Sequence, residues 1–238
     1  MTGAASGIGR AAAKRLLDEG CSVVAVDINE DGLGPVVADG AEPLVADLAD
    51  LEARDRVIAA GRGCDYLVNA AGIIRLKDLT DFTVTDWREI FTVNAEAMFF
   101  LCQGIGPSMP AGSAIVNLSS SSAKLANTVE AAIYAASKTT VLSITRSFAY
   151  GLAKIPVRVN AICPAIIDTP MQDKVLAEVA PLRGMTIEEL TTARNATVPL
   201  GRAASPEELA GLIWFLLSEN PGYITGQAIN YGGGYVTW

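Results

Sequence analysis

Tyr134 and Lys138 stand one helical turn apart in the run Tyr134-Ala-Ala-Ser-Lys138, shortly after the consecutive serines Ser119 to Ser122. On a helix this spacing puts the phenol and the ammonium on one face, so the cation can favour the phenolate. Such a pair is a general acid/base that needs no imidazole, and the chain contains no His. Without His the usual proton shuttle and most zinc-site designs are missing, and tyrosine becomes the natural proton carrier. An isolated pair of this kind reads more plainly as an interfacial aromatic and a snorkelling surface lysine. The rest of the chain has to decide between the two.

The first residues supply the context. In Thr2-Gly3-Ala4-Ala5-Ser6-Gly7-Ile8-Gly9, glycines fall where a backbone must turn tightly, approach a pyrophosphate closely and enter a helix whose N-terminus attracts anions. Alone, this is also how an ordinary Gly-rich turn looks. The next strand, however, ends in Asp27, where a carboxylate would accept hydrogen bonds from adenosine ribose hydroxyls. That anion would repel a 2′-phosphate, and neither Ser6 nor Ile28 is a cation that could neutralise one, so NAD is expected over NADP.

Gly and Pro fall between periodic runs, with no repeat or low-complexity linker. One α/β domain over residues 1–238 is expected. Buried parallel strands are predicted at Ser22 to Val26, Pro43 to Ala46, Tyr66 to Val68, Ala114 to Leu118, Val157 to Ala161 and Gln227 to Asn230. Helices are predicted at Ile8 to Asp18, Thr85 to Cys102, Ile133 to Leu152 and Ser205 to Leu217, the last opening with an N-cap, a proline and a capping-box glutamate. The alternation predicts a doubly wound parallel sheet with ligands at the carboxyl ends of its strands.

A net charge of −8 argues against nucleic acid or an anionic membrane as partner. With no leader pattern and no membrane-length apolar run, a cytoplasmic location is expected. Cys21, Cys64, Cys102 and Cys163 lack metal-ligand spacing and read as small core hydrophobes, Cys163 lying beside a candidate cofactor loop. No metal is expected.

Taken together, the glycine fingerprint, Asn69-Ala70-Ala71-Gly72 after a strand, Asn94 within a long helix, Ser120, Tyr134, Lys138 and Pro164-Ala165-Ile166-Ile167-Asp168-Thr169 resemble the short-chain dehydrogenase/reductase family over nearly the whole chain. The resemblance implies that Tyr134 exchanges a proton with the substrate oxygen and that Ser120 orients it. It also implies that Lys138 lowers the tyrosine pKa and holds the nicotinamide ribose, while Asn94 anchors a water in a proton relay. On the cofactor side it implies that Asp47 and Leu48 contact adenine and that Asn69, Ala70 and Gly72 form the wall beside the adenosine ribose. Ile167 with Thr169 would meet the carboxamide. Plainer readings exist: Asn94 as a bridge between backbone groups, Asp47 as a turn residue and Thr169 as the start of a turn before Pro170.

The chain departs from the family at Ala70, at Ala165 and in the serine register, where family spacing selects Ser121 and the strand Ile115-Val116-Asn117-Leu118 selects Ser120. The larger departure is that the apolar strand the family places ahead of the fingerprint is missing from the chain, which predicts a gap at the centre of the sheet and an earlier true start. The resemblance implies reversible oxidation of a secondary alcohol, on a polyol, sugar or small hydroxy compound, in a homotetramer. The alternatives are a 3-oxoacyl thioester, a cyclic or aryl ketone, or a non-catalytic nucleotide-binding regulator. Residues 171–204 are expected to form a long substrate loop, helical only around Thr186 to Arg194, with balanced charges and no evident anion site.

Overall fold

The computed structural model describes residues 1–126 and 128–238. Its strands are β1 (Val24–Asp27), β2 (Glu42–Val45), β3 (Tyr66–Asn69), β4 (Ala114–Leu118), β5 (Arg158–Pro164) and β6 (Ala228–Tyr231). The helices are α1 (Gly7–Asp18), α2 (Glu30–Ala38), α3 (Leu51–Gly61), α4 (Val84–Phe91), α5 (Ala97–Ile105), α6 (Ala132–Leu152), α7 (Pro170–Leu182), α8 (Ile187–Ala196) and α9 (Pro206–Leu217). All strand pairs are parallel, in the order β2-β1 and β3-β4-β5-β6. Helices cover both faces, which explains why β3, β4 and β5 are buried without alternation; β2, expected to be buried, is an edge strand and largely exposed. Val68 and Val116 face the layer of α1 and α9, whereas Leu67 and Ile115 face that of α3, α5 and α6.

Met1 and Thr2 join the two halves of the sheet. Thr2 bridges in parallel to both Val26 and Asn69, its N–H donates to the Val68 carbonyl at 3.0 Å, and the Val26 N–H donates to the Met1 carbonyl at 2.8 Å. Toward the other end of the strands the edges of β1 and β3 part around a cavity of about 510 Å³, walled by Val24, Leu67, Val57 and Ile105. The expected central gap is therefore present, closed only at the end nearest the strands' carboxyl termini.

Two expectations change. The predicted helix Thr85 to Cys102 is α4 and α5 joined by a wider π-type turn over Thr92–Glu96 that contains Asn94, a local distortion frequent at functional sites. The predicted long loop 171–204 is mostly a helical hairpin of α7 and α8. The start of α7 was written locally: Thr169 accepts from the Gln172 N–H and Pro170 occupies the first turn. Pro181 sits in the last turn of α7, where the helix ends anyway.

Candidate active site

The carboxyl ends of the strands frame a cavity of about 300 Å³, lined among others by Gly3, Ser6, Gly7, Ile8 and Gly9. Asp27, Ile28, Asp47, Leu48, Ala70, Gly72 and Thr169 complete the set of sequence-predicted residues there. The Asp27 carboxylate accepts from the Ala5 and Asn29 N–H groups, each at 3.0 Å, which holds it at the cavity edge. Arg10, the cation on this side, donates to the Ala5 and Gly32 carbonyls. Asp47 does form a turn, accepting from the Ala49 N–H at 2.8 Å, while still lining the cavity. Thr169 both caps α7 and lines it.

These residues fit a nicotinamide dinucleotide on structural grounds. Ser6, the N-cap of α1, makes no side-chain cap, and the first turn of α1 holds no acidic residue, which leaves its N–H groups and positive end for a pyrophosphate. Gly3 has φ of +70° and passes so close to the loop after β3 that a Cβ there would lie 2.7 Å from the Ala71 nitrogen. Only glycine keeps that turn flat against the cavity wall.

Asn69 lies apart from the cavity lining. Its Nδ2 donates to Asn117 Oδ1 at 2.9 Å, and Asn117 donates to Thr145 at 3.0 Å, a buried chain tying β3 to β4 and α6. The wall it supports is held from the front by Thr2, whose hydroxyl accepts from the Ala70 and Ala71 N–H groups. Sequence reasoning missed Arg54, buried beneath the adenine-side loop: it donates to the Leu48 carbonyl at 3.1 and 3.0 Å and to Glu96 at 2.9 Å. Its signal in sequence was only an arginine at an apolar helix position.

Ser120, Tyr134, Pro164 and Ile167 line an adjoining cavity of about 120 Å³, which shares Ile8, Thr169 and Met171 with the first. Strand β4 delivers the serines; Ser120 lies near enough to the Tyr134 phenol to favour its anion and accepts from the Ser122 N–H at 3.1 Å. The geometry thus pairs Ser120 with Tyr134, as strand register indicated; Ser121 begins the following turn. Lys138 is buried behind them and its Nζ donates to the Leu118 carbonyl at 2.8 Å. Asn94 accepts from the Ile73 N–H at 2.8 Å and donates to the Ile73 carbonyl at 2.9 Å and to Ser137 at 3.1 Å. Its amide is a clamp between the wall loop and α6. Gly72 passes over this cluster, and a Cβ there would lie 3.3 Å from both Lys138 Nζ and Asn94 Oδ1.

Among the described residues no hydrogen bond joins Lys138 to the Tyr134 phenol that it was expected to favour as phenolate. Lys138 Nζ lies 5.7 Å from the centre of the Tyr134 ring and spends a hydrogen bond on Leu118. Burial pushes the phenol up to about 12, with the Ser120 hydrogen bond opposing the rise. Burial likewise lowers the Lys138 ammonium to about 8, with nearby Cys163 opposing. At neutral pH the phenol therefore holds its proton.

The lysine shift has a stability consequence. Below pH 8 the ammonium is protonated folded and unfolded, and its burial cost is present in full. Between pH 8 and the unfolded value near 10.5 the unfolded chain binds more protons, so this group's contribution rises with pH. We expect the stability of the protein relative to a Lys138→Met variant to rise by about 1 kcal/mol from pH 8 to 9, measured by urea unfolding. A pH-independent difference would show that Lys138 is not desolvated.

Residues missed on the substrate side are Ile74, Thr128, Gln172, Val175, Arg194 and Tyr235, all lining the smaller cavity. They come from the loop after β3, the segment before α6, helices α7 and α8 and the C-terminal tail, and no local pattern marks them.

Comparison with known proteins places this geometry in context. A family model described as enoyl-(acyl carrier protein) reductase matches residues 3–236. The 3-oxoacyl-[acyl-carrier-protein] reductase of Thermotoga maritima is 37% identical, over 99% of this chain and 96% of its own. D-threitol dehydrogenase of Mycolicibacterium smegmatis is 34% identical, over 99% and 91%. Among solved structures, actinorhodin polyketide ketoreductase with NADPH superposes with a TM-score of 0.91 at 29% identity, covering 99% of this chain and 95% of that one.

Proposed function

Because this chain belongs to the short-chain dehydrogenase/reductase family of oxidoreductases, we propose that it interconverts a secondary alcohol and a ketone with NAD, on a polyol, sugar or small hydroxy compound. The observation that carries the reading is the meeting of Ser120 and Tyr134, with Lys138 behind them, in a cavity that adjoins the glycine-lined one. When bound, a nicotinamide dinucleotide held by the glycine turn and Asp27 would supply the hydride chemistry. Tyr134 gives its proton to the substrate oxygen in the reductive direction and removes it in the oxidative one. Ser120 holds that oxygen in place. Lys138 supplies positive charge beside the phenol as its proton leaves, and Asn94 is a positioning residue that sets α6 against the wall loop. The plainer reading of Tyr134 and Lys138 as surface residues loses its support, since Lys138 is 3% exposed.

Asp27 supports NAD: a carboxylate fixed by two N–H groups cannot swing away from a 2′-phosphate without breaking both bonds. Titration of NAD and NADP by calorimetry is expected to find NAD at least ~10-fold tighter, a preference that Asp27→Asn narrows about 10-fold. Tighter binding of NADP by the unaltered protein would overturn the assignment; the neighbour solved with NADPH favours that second reading. Reduction of a 3-oxoacyl thioester is the other substrate reading, favoured by the Thermotoga relative. A homotetramer belongs to the proposal, supported by Phe99 and Phe100 exposed on α5 and Tyr150 on α6.

A further inference from the structure

Arg194, in the last turn of α8, lines the cavity that holds Ser120 and Tyr134 and also a second cavity of about 240 Å³ beside it. Among the described residues, no hydrogen bond or ion pair reaches its guanidinium, although the side chain is half-buried. A cation in that setting without an anionic partner is costly. The obvious partner is already taken. Glu130, itself buried, accepts from both Nε and Nη2 of Arg183, at 3.0 and 2.9 Å, a two-pronged pair that satisfies the carboxylate. Arg183 adds a second positive charge near Arg194, while the Tyr235 phenol and the Glu130 carboxylate lie near enough to oppose the loss of its proton.

No Asp or Glu lines either cavity among the described residues. The acidic residues of α7 and α8 are engaged or turned outward: Glu178 pairs with Lys174, Glu189 closes the cap of α8 on Thr186, and Asp173 and Glu188 are exposed. On a chain of net charge −8, the reaction cavity is thus a local positive site. The balanced charges read along residues 171–204 conceal this, because the anions are paired or exposed and Arg194 is left there without an ion pair among the described residues.

Resting on the dehydrogenase reading above, we propose that Arg194 is a specificity-determining residue that binds an anionic group of the substrate, so that the natural substrate is a short hydroxy acid or keto acid rather than a neutral polyol. A single planar guanidinium matches the two oxygens of one carboxylate, and the reaction cavity of about 120 Å³ suits a short chain between that carboxylate and the carbinol.

The test compares 3-hydroxybutyrate with 1,3-butanediol, which share the carbinol and differ in carboxylate against hydroxymethyl, and with 3-hydroxybutyl phosphate. The expected result is kcat/KM at least ~10-fold higher for the acid than for the diol. Arg194→Gln should lower kcat/KM on the acid by about 100-fold, mostly through KM, and change the diol less than about threefold. Arg194→Lys should recover part of the loss. A diol preferred by the unaltered protein, or an acid unaffected by Arg194→Gln, overturns the proposal while leaving the dehydrogenase reading standing. Preference for the phosphate ester overturns the carboxylate assignment. Should no alcohol be turned over with either cofactor, the dehydrogenase reading fails, and binding still decides for Arg194. In the Tyr134→Phe protein, 3-hydroxybutyrate should raise Tm, and in Tyr134→Phe/Arg194→Gln it should not; equal shifts overturn the proposal.

Discussion

Tyr134→Phe is expected to lower kcat by about 10³-fold while leaving NAD affinity within about threefold. The phenol oxygen of Tyr134 can both hold and release a proton in the reaction cavity, and Ser120 lies close enough to stabilise its anion. Removing one oxygen keeps the ring and its packing, so the loss reports on proton transfer rather than on folding. The dinucleotide cavity should be indifferent, because Tyr134 is not part of its lining. The same variant separates an enzyme from a nucleotide-binding regulator of the same fold, which would be unchanged in every assay. Stopped-flow or steady-state absorbance of reduced cofactor, beside calorimetric NAD titration, makes the comparison. Retention of more than a tenth of turnover would remove Tyr134 from the chemistry.

The second large effect belongs to the fingerprint. A Cβ at Gly9 would lie 1.8 Å from the Gly3 carbonyl oxygen and 2.6 Å from its carbon. Both are backbone atoms, and the Gly3 turn cannot retreat because it is already pressed against the loop after β3. Gly9→Ala should therefore push α1 away from the turn, cost about 3 kcal/mol or more in urea unfolding and weaken NAD binding at least ~100-fold. Gly211→Ala is the control. That glycine sits inside α9 with open space where its Cβ would stand, so alanine should stabilise by roughly 0.5–1 kcal/mol. Equal unfolding midpoints for the two variants would mean that the close approach at Gly9 does not hold the fold.

Elements were legible where the code is local. The cap Ser205 with Pro206 and Glu208 starts α9 as read, and strands β3 and β4 fall within a residue of their predicted ends, because apolar runs bounded by turn residues leave little freedom. Helix α7 was hidden by Pro181, and α2 and α3 by short patterns weaker than the strands around them. At the site, the glycines, Asp27, Ser120, Tyr134 and Lys138 were readable because their chemistry demands particular residue types at spacings that a single turn or helix sets. Asn69 was placed one layer too far forward. Its role in the buried chain to Asn117 and Thr145 depends on neighbours distant in sequence.

The sequence by itself determined the order of the strands, the glycine turn and the pairing of Tyr134 with Lys138 on which the proposed chemistry rests, since each involves residues close together along the chain. Only the tertiary structure decided the charge states and the shape of the pocket. A pKa follows from how much water and which dipoles surround a group, so the raised phenol and lowered ammonium emerged only when α6 was packed against β4. That Arg194 has no ion pair among the described residues likewise emerged only when Glu130, far away in sequence, proved to be taken by Arg183. Charge balance along a chain says nothing of which charges meet, because ion pairing acts over a few ångströms of space and not over residues of sequence.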